Sequence, residues 1–114
     1  MPHFIIDIDQ AAYSKVDSSE LMNSVHEVAV ESKLFDTANI KVRIKPYQDS
    51  LVAGKSGHFI HVFSNIMGGR TNEQRASLSN ALVSRLNEDY PWIAVISVNV
   101  QEFEKSTYCN LNML

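Results

Sequence analysis

What narrows the fold of this chain most is a repeated order of patterns. An alternating apolar segment, a helical stripe and a second alternating segment occur once, and then again about 55 residues later. The first unit opens with Phe4 to Ile8, β-prone and partly alternating, so a strand begins almost at the first residue. Asp17 and Glu20 form an acidic variant of the capping box, and Leu21, Val25, Val28 and Ala29 recur at helical spacing. This predicts a helix over Ser18 to Lys33. Ile40, Val42 and Ile44 then alternate with Lys41, Arg43 and Lys45, a half-buried strand that Pro46 is expected to end. Leu51 to Ala53 predicts a brief edge strand before Gly54 and Gly57.

The second unit begins with His58 to Met67, a strand candidate apolar on both faces. Gly68-Gly69-Arg70 punctuates it, and Thr71 with Gln74 makes a second capping box. Leu78, Ala81, Leu82 and Leu86 give a helical stripe ending near Tyr90, before Pro91. Ala94 to Phe103 is the last strand, with Val95 and Ser97 on one face and Ile96, Val98 and Val100 on the other. The tail from Glu104 to Leu114 has no usable period.

A strand, a crossover helix and a strand make a parallel, right-handed pair. Two such units predict an α/β (α+β) fold, a four-stranded mixed sheet with two helices on one face. The 114 residues suit a single domain, 1–114. The other sheet face is left bare. Because the His58–Met67 strand is apolar on both sides, a second subunit is the expected cover.

Composition excludes several classes. The net charge of −3 lacks the basic excess of a nucleic-acid binder and the cationic face of a membrane-surface helix. No apolar run approaches the roughly 20 residues that span a bilayer. The opening MPHFIIDID has no basic region ahead of its apolar residues and does not read as a signal peptide. A lone cysteine, Cys109, and no Cys/His cluster suggest a reduced, cytoplasmic setting with neither disulfide nor metal.

Few residues are placed to carry chemistry. Initiator methionine is generally removed before a small residue such as Pro2, and its loss would leave a secondary amine at the head of a strand. An α-amine titrates near 8 (about the ordinary value), and burial beside cations disfavours its charged form, which suits a general base. The plainer alternative is that Pro2 only opens a strand, where it removes no ladder bond. Arg70 precedes a helix start, where backbone N–H groups and the dipole favour an anion. An arginine there either shares an anion or is an exposed turn residue. Arg75, further into that helix, reads as a solvated residue or an ion-pair partner. Lys41, Arg43 and Lys45 on one strand face are either solvated or the wall of a carboxylate pocket. His58 and His61 sit on opposite strand faces and cannot share a metal; His3, His26 and Cys109 carry no recognisable pattern.

The opening Met1-Pro2-His3-Phe4-Ile5, the segment Gly68-Gly69-Arg70-Thr71-Asn72-Glu73-Gln74-Arg75 and the strand Asn39 to Arg43, in this order on repeated β-α-β units, resemble the tautomerase superfamily. The match is nearest to 5-carboxymethyl-2-hydroxymuconate isomerases. The resemblance implies an amino-terminal proline base at Pro2 and a homotrimer. It also implies Arg70 as a second catalytic group, an unsaturated dicarboxylate as small-molecule substrate, no cofactor, and a place in aromatic compound catabolism. Lys41 stands where the family pattern leads one to expect an arginine, while Arg43 keeps the second; these two are the candidate substrate-binding cations. The expected function is an isomerase or tautomerase moving a proton in an unsaturated 2-hydroxy or 2-oxo acid. The rival is a non-catalytic ferredoxin-like ligand-binding module, which shares the β-α-β-β-α-β order but has no use for Pro2.

Overall fold

The sheet is mixed and has the order β2-β1-β3-β4. In the computed structural model, which describes residues 1–114, the strands are β1 (His3–Asp9), β2 (Lys41–Tyr47), β3 (Phe59–Met67) and β4 (Val95–Phe103). β1 runs parallel to β2 and β3 parallel to β4, as two β-α-β units require, while β1 and β3 meet antiparallel at the centre. The connections are α1 (Gln10–Tyr13), α2 (Ser18–Glu31) and α3 (Asn72–Asp89).

Strand periodicity decides which side chains the helices cover. Phe4, Ile6 and Ile8 of β1 and Ile60 and Val62 of β3 are fully buried with Leu21, Val25 and Ala29 of α2 and Leu78, Leu82 and Leu86 of α3. Burying each of the larger side chains among them is worth about 1.5 to 3 kcal/mol, so this one layer supplies most of the folding drive. The helices are also tied by polar groups: Arg85 pairs with Glu27 at 2.8 Å, and Ser24 Oγ donates to Asp89 at 2.5 Å.

The caps form where the sequence puts them. Asp17 accepts from the N–H groups of Ser19 and Glu20, and Thr71 and Gln74 make both halves of a capping box. α2 stops at Glu31, short of Lys33, because Lys33 turns left-handed (φ 59°) after the Ser32 cap.

Two expectations need correction, and one element was not foreseen. Pro46 does not end its strand; β2 continues to Tyr47, with Pro46 opposite Ile8. β2 pairs only with β1, so its outer side makes no ladder bond within the chain and tolerates a missing N–H. Leu51–Ala53 forms no strand. Val52 and Lys55 make an isolated antiparallel bridge around Ala53 and Gly54, both at positive φ, as a two-residue hairpin turn of the I′ kind demands. The unforeseen element is α1; Asp9 creates it by accepting the Ala12 N–H.

The sheet face away from the helices is bare. Its middle carries Ile5 and the 39% exposed Phe63, paired in register, with Phe59, Met67 and Val95 beyond. Lys41, Arg43 and Lys45 border it on one side, and Ser97, Asn99 and Gln101 on the other. The face is therefore less apolar than the β3 sequence suggests, because its neighbours contribute polar side chains.

Candidate active site

Strand direction gathers the candidate residues. The starts of β1 and β2 and the ends of β3 and β4 lie at one end of the sheet: His3 pairs with Lys41 and Asn65, and Met67 with Phe103. Pro2, Lys41, Arg43 and Arg70 all belong to this end, although they come from three separate stretches of chain.

Pro2 is buried, and its carbonyl accepts the Lys41 N–H at 3.1 Å. The amino group of Met1 sits beside the Lys41 side chain. Burial, the Lys41 hydrogen bond and the Lys41 charge lower its pKa from 8.0 to about 6. Next to it, Arg43 Nη1 donates to His3 Nδ1 at 3.1 Å. Burial first, then the charges of Arg43, Lys41 and the amino terminus, hold His3 below its ordinary pKa. Positive charge thus crowds this corner. No carboxylate lies within ion-pair distance of Lys41, Arg43 or the Arg70 guanidinium.

Arg70 turns toward the helical side. Its Nη1 donates to the Met67 carbonyl at 3.3 Å, its Nη2 to the Leu34 carbonyl, and its guanidinium lies 5.4 Å from the Phe35 ring centre. Phe35 in turn packs edge-on against Phe4. Two of the five guanidinium N–H groups are occupied by these carbonyls. Lys41 and Arg43 project from the opposite face of the sheet. The single chain therefore sets Pro2, Lys41, Arg43 and Arg70 at one end of the sheet, with Lys41 and Arg43 on the bare face and Arg70 on the helical side.

The glycines before Arg70 have structural reasons. Gly69 has φ 114°, a backbone state that side chains avoid, and a Cβ on Gly68 would stand 3.3 Å from the Phe103 carbonyl. The backbone N–H groups of Gly69 and Arg70 do hold an anion, and it is the chain's own: Glu102 Oε2, at 3.1 and 3.3 Å. Glu102 Oε1 also pairs with Arg75 at 3.5 Å, so Arg75 is an ion-pair partner. Sequence reasoning missed Glu102, because nothing local marks it; its spacing of 32 residues from Arg70 follows only from the β3–β4 register.

A second polar cluster lies at the far end of the sheet. Asp9, only 5% exposed, accepts from Ala12 N–H, Phe59 N–H and His58 Nδ1. His61 instead meets Ser97 Oγ at 2.6 Å, so the two histidines do point apart. No three metal-ligating side chains converge anywhere in the chain.

Comparison with known proteins then decides the family. The family model for 5-carboxymethyl-2-hydroxymuconate isomerase matches residues 2–114. The chain belongs to that family. The 5-carboxymethyl-2-hydroxymuconate isomerase family is one of tautomerase-type isomerases, and that is the broad activity of this member. No curated protein matches the sequence. Solved structures share the fold at low identity. A 5-carboxymethyl-2-hydroxymuconate isomerase from Deinococcus radiodurans R1 superposes with TM-score 0.84 at 18% identity, covering 96% of this chain and 87% of that one. A protein described as a Q0 fused 4-OT wild-type symmetric trimer gives 0.80 at 22% identity over 98% and 94% of the two chains. The macrophage migration inhibitory factor of Trichinella spiralis gives 0.75 at 13% identity over 96% of each. No helix of this family member is long and apolar enough to cross a membrane.

Proposed function

We propose that the protein is a cofactor-independent isomerase of an unsaturated 2-hydroxy or 2-oxo dicarboxylate, similar to 5-carboxymethyl-2-hydroxymuconate, and that it works as a homotrimer. The observation that carries this reading is the cluster of Lys41, Arg43 and the amino terminus, none of which has a carboxylate within ion-pair distance. A dianionic substrate supplies the missing negative charge. Pro2, freed by loss of Met1, is the general base. It takes a proton from the 2-hydroxyl group, or from the carbon next to the carbonyl, and returns it along the conjugated system. Lys41 and Arg43 bind carboxylate, the lysine as a point charge and the arginine as a fork. Arg70 holds the other carboxylate or stabilises the enolate as its charge develops. The bare sheet face supports the trimer, since Phe63 stays 39% exposed in the middle of it; a 4-OT protein described as a symmetric trimer has the same fold.

The lowered pKa of the Met1 amine bears on the base. A nearby Lys41 charge would likewise disfavour protonation of a proline amine at this corner. The base acts when neutral, so kcat/KM should rise with pH through an apparent pKa below the roughly 8 of an ordinary α-amine. The test compares protein that has lost Met1 with protein carrying an extra residue ahead of Pro2, using 2-hydroxymuconate and phenylenolpyruvate as ketonisation substrates. Processed protein should turn over, and the extended form should not, since its proline nitrogen is an amide. Equal rates from the two forms remove Pro2 from the mechanism.

A further inference from the structure

Arg70 is fixed at both ends, and the two fixings differ in origin. The Leu34 and Met67 carbonyls hold the guanidinium, whereas one side chain, Glu102 at the end of β4, holds the peptide units that lead into Arg70. The turn cannot hold its shape from sequence alone. Gly68 and Gly69 are the most permissive residues available, and Gly69 sits at φ 114° with open space where a Cβ would be. Without a partner, the Gly69 and Arg70 N–H groups would turn to water and the loop would sample other states.

From this we infer that Glu102 is a positioning residue for Arg70, clamping the Gly68–Arg70 turn so that the guanidinium stays where a substrate anion meets it. The inference rests on the role proposed above for Arg70. Glu102 is suited to the task for three reasons. Its carboxylate accepts two N–H groups on one oxygen, which orients the turn, and Arg75 holds the other oxygen at 3.5 Å. It stands opposite Ile66 in the β3–β4 ladder, so the clamp is anchored on the sheet rather than on another loop. Its negative charge at the start of α3 also suits the helix dipole, which Arg70 by itself opposes.

Two simpler roles make different predictions. If Glu102 only stabilised the fold, its loss would lower the melting temperature and leave kcat/KM per folded site unchanged. If it acted only through its charge near a dianionic substrate, its removal would lower KM. A positioning role predicts the reverse: Glu102→Ala should lower kcat/KM roughly tenfold, within what misplacing a binding group costs. Glu102→Gln keeps a carbonyl acceptor for the turn and should recover most of that loss.

The experiment is a double-mutant cycle on Met1-processed protein, with wild type, Glu102→Ala, Arg70→Ala and the double variant assayed for 2-hydroxymuconate ketonisation. Glu102→Ala should cost activity in the wild-type background and almost nothing once Arg70 is gone. Amide hydrogen exchange at Gly69 and Arg70 should quicken in Glu102→Ala and stay near wild type in Glu102→Gln. Additive losses, an unchanged kcat/KM, a lowered KM or unchanged exchange would each overturn the inference. If instead wild type turns over and Arg70→Ala does not slow it, the failure lies with the role given to Arg70. A wild type with no turnover refutes the proposed reaction itself.

Discussion

Asp9→Asn is the substitution whose cost can be worked most fully from the structure. The Asp9 carboxylate is 5% exposed and satisfies three donors on two elements: Oδ2 takes Ala12 N–H at 3.0 Å and His58 Nδ1 at 2.9 Å, and Oδ1 takes Phe59 N–H at 2.9 Å. An ionised carboxylate is acceptor-only, so His58 Nδ1 must carry a proton in this contact. Asparagine has nearly the same shape but only one acceptor atom. If its oxygen faces Ala12 and His58, its amide faces the Phe59 N–H, and a buried donor is left unpaired. That alone costs about 1 to 3 kcal/mol, and the two surviving bonds weaken as the charge is lost. Relief of the buried charge returns part of this. The expected net loss is about 2 to 3 kcal/mol of unfolding free energy at neutral pH.

The pH dependence follows with its sign. Burial raises the Asp9 pKa, but hydrogen bonds from His58, Phe59 and Ala12 and the His58 charge outweigh it, so the folded value lies below the ordinary carboxylate value. A depressed folded pKa contributes stability above the unfolded pKa and loses it as pH falls through the folded one. The gap between wild type and Asp9→Asn should therefore be full at neutral pH and close in acid. Protonated Asp9 then resembles the amide. Urea denaturation at fixed protomer concentration, repeated down the pH scale, measures this. A gap below about 0.5 kcal/mol at neutral pH, or one that widens in acid, would refute the reasoning.

Two further outcomes are expected. Thr71→Ala removes one half of the capping box at α3 and should cost about 1 kcal/mol by the same urea measurement. Phe63→Lys puts a charge in the middle of the bare sheet face, opposite Ile5; if the proposed trimer forms, sedimentation should then find smaller species than in wild type, with helical circular dichroism retained, because Phe63 takes no part in the helix-side core.

Whereas β3, apolar on both faces, did not show which side meets the core, the β-α-β repeat, the two main helices, their caps and the alternation of β2 and β4 could all be read from the sequence. These depend on periods of 2 and about 3.6 residues and on cap residues within three positions, which are local properties of the chain. Pro2, Lys41, Arg43 and Arg70 became candidates through short segments that resemble the family, and their roles remain proposals. Tertiary structure decided what depends on residues far apart in sequence. The antiparallel β1–β3 contact fixed the sheet order and so brought the starts of β1 and β2 to the end of β3. Pro46 could stay in a strand because β2 became an edge, which no local rule foretells. Asp9 became a cap and a buried anchor only when Phe59 and His58, about 50 residues away, were laid beside it. Glu102 reached the turn before Arg70 through strand register, and Arg70 found the Leu34 carbonyl 36 residues back. Side-chain polarity can say that such groups need partners, but only the packed chain chooses them.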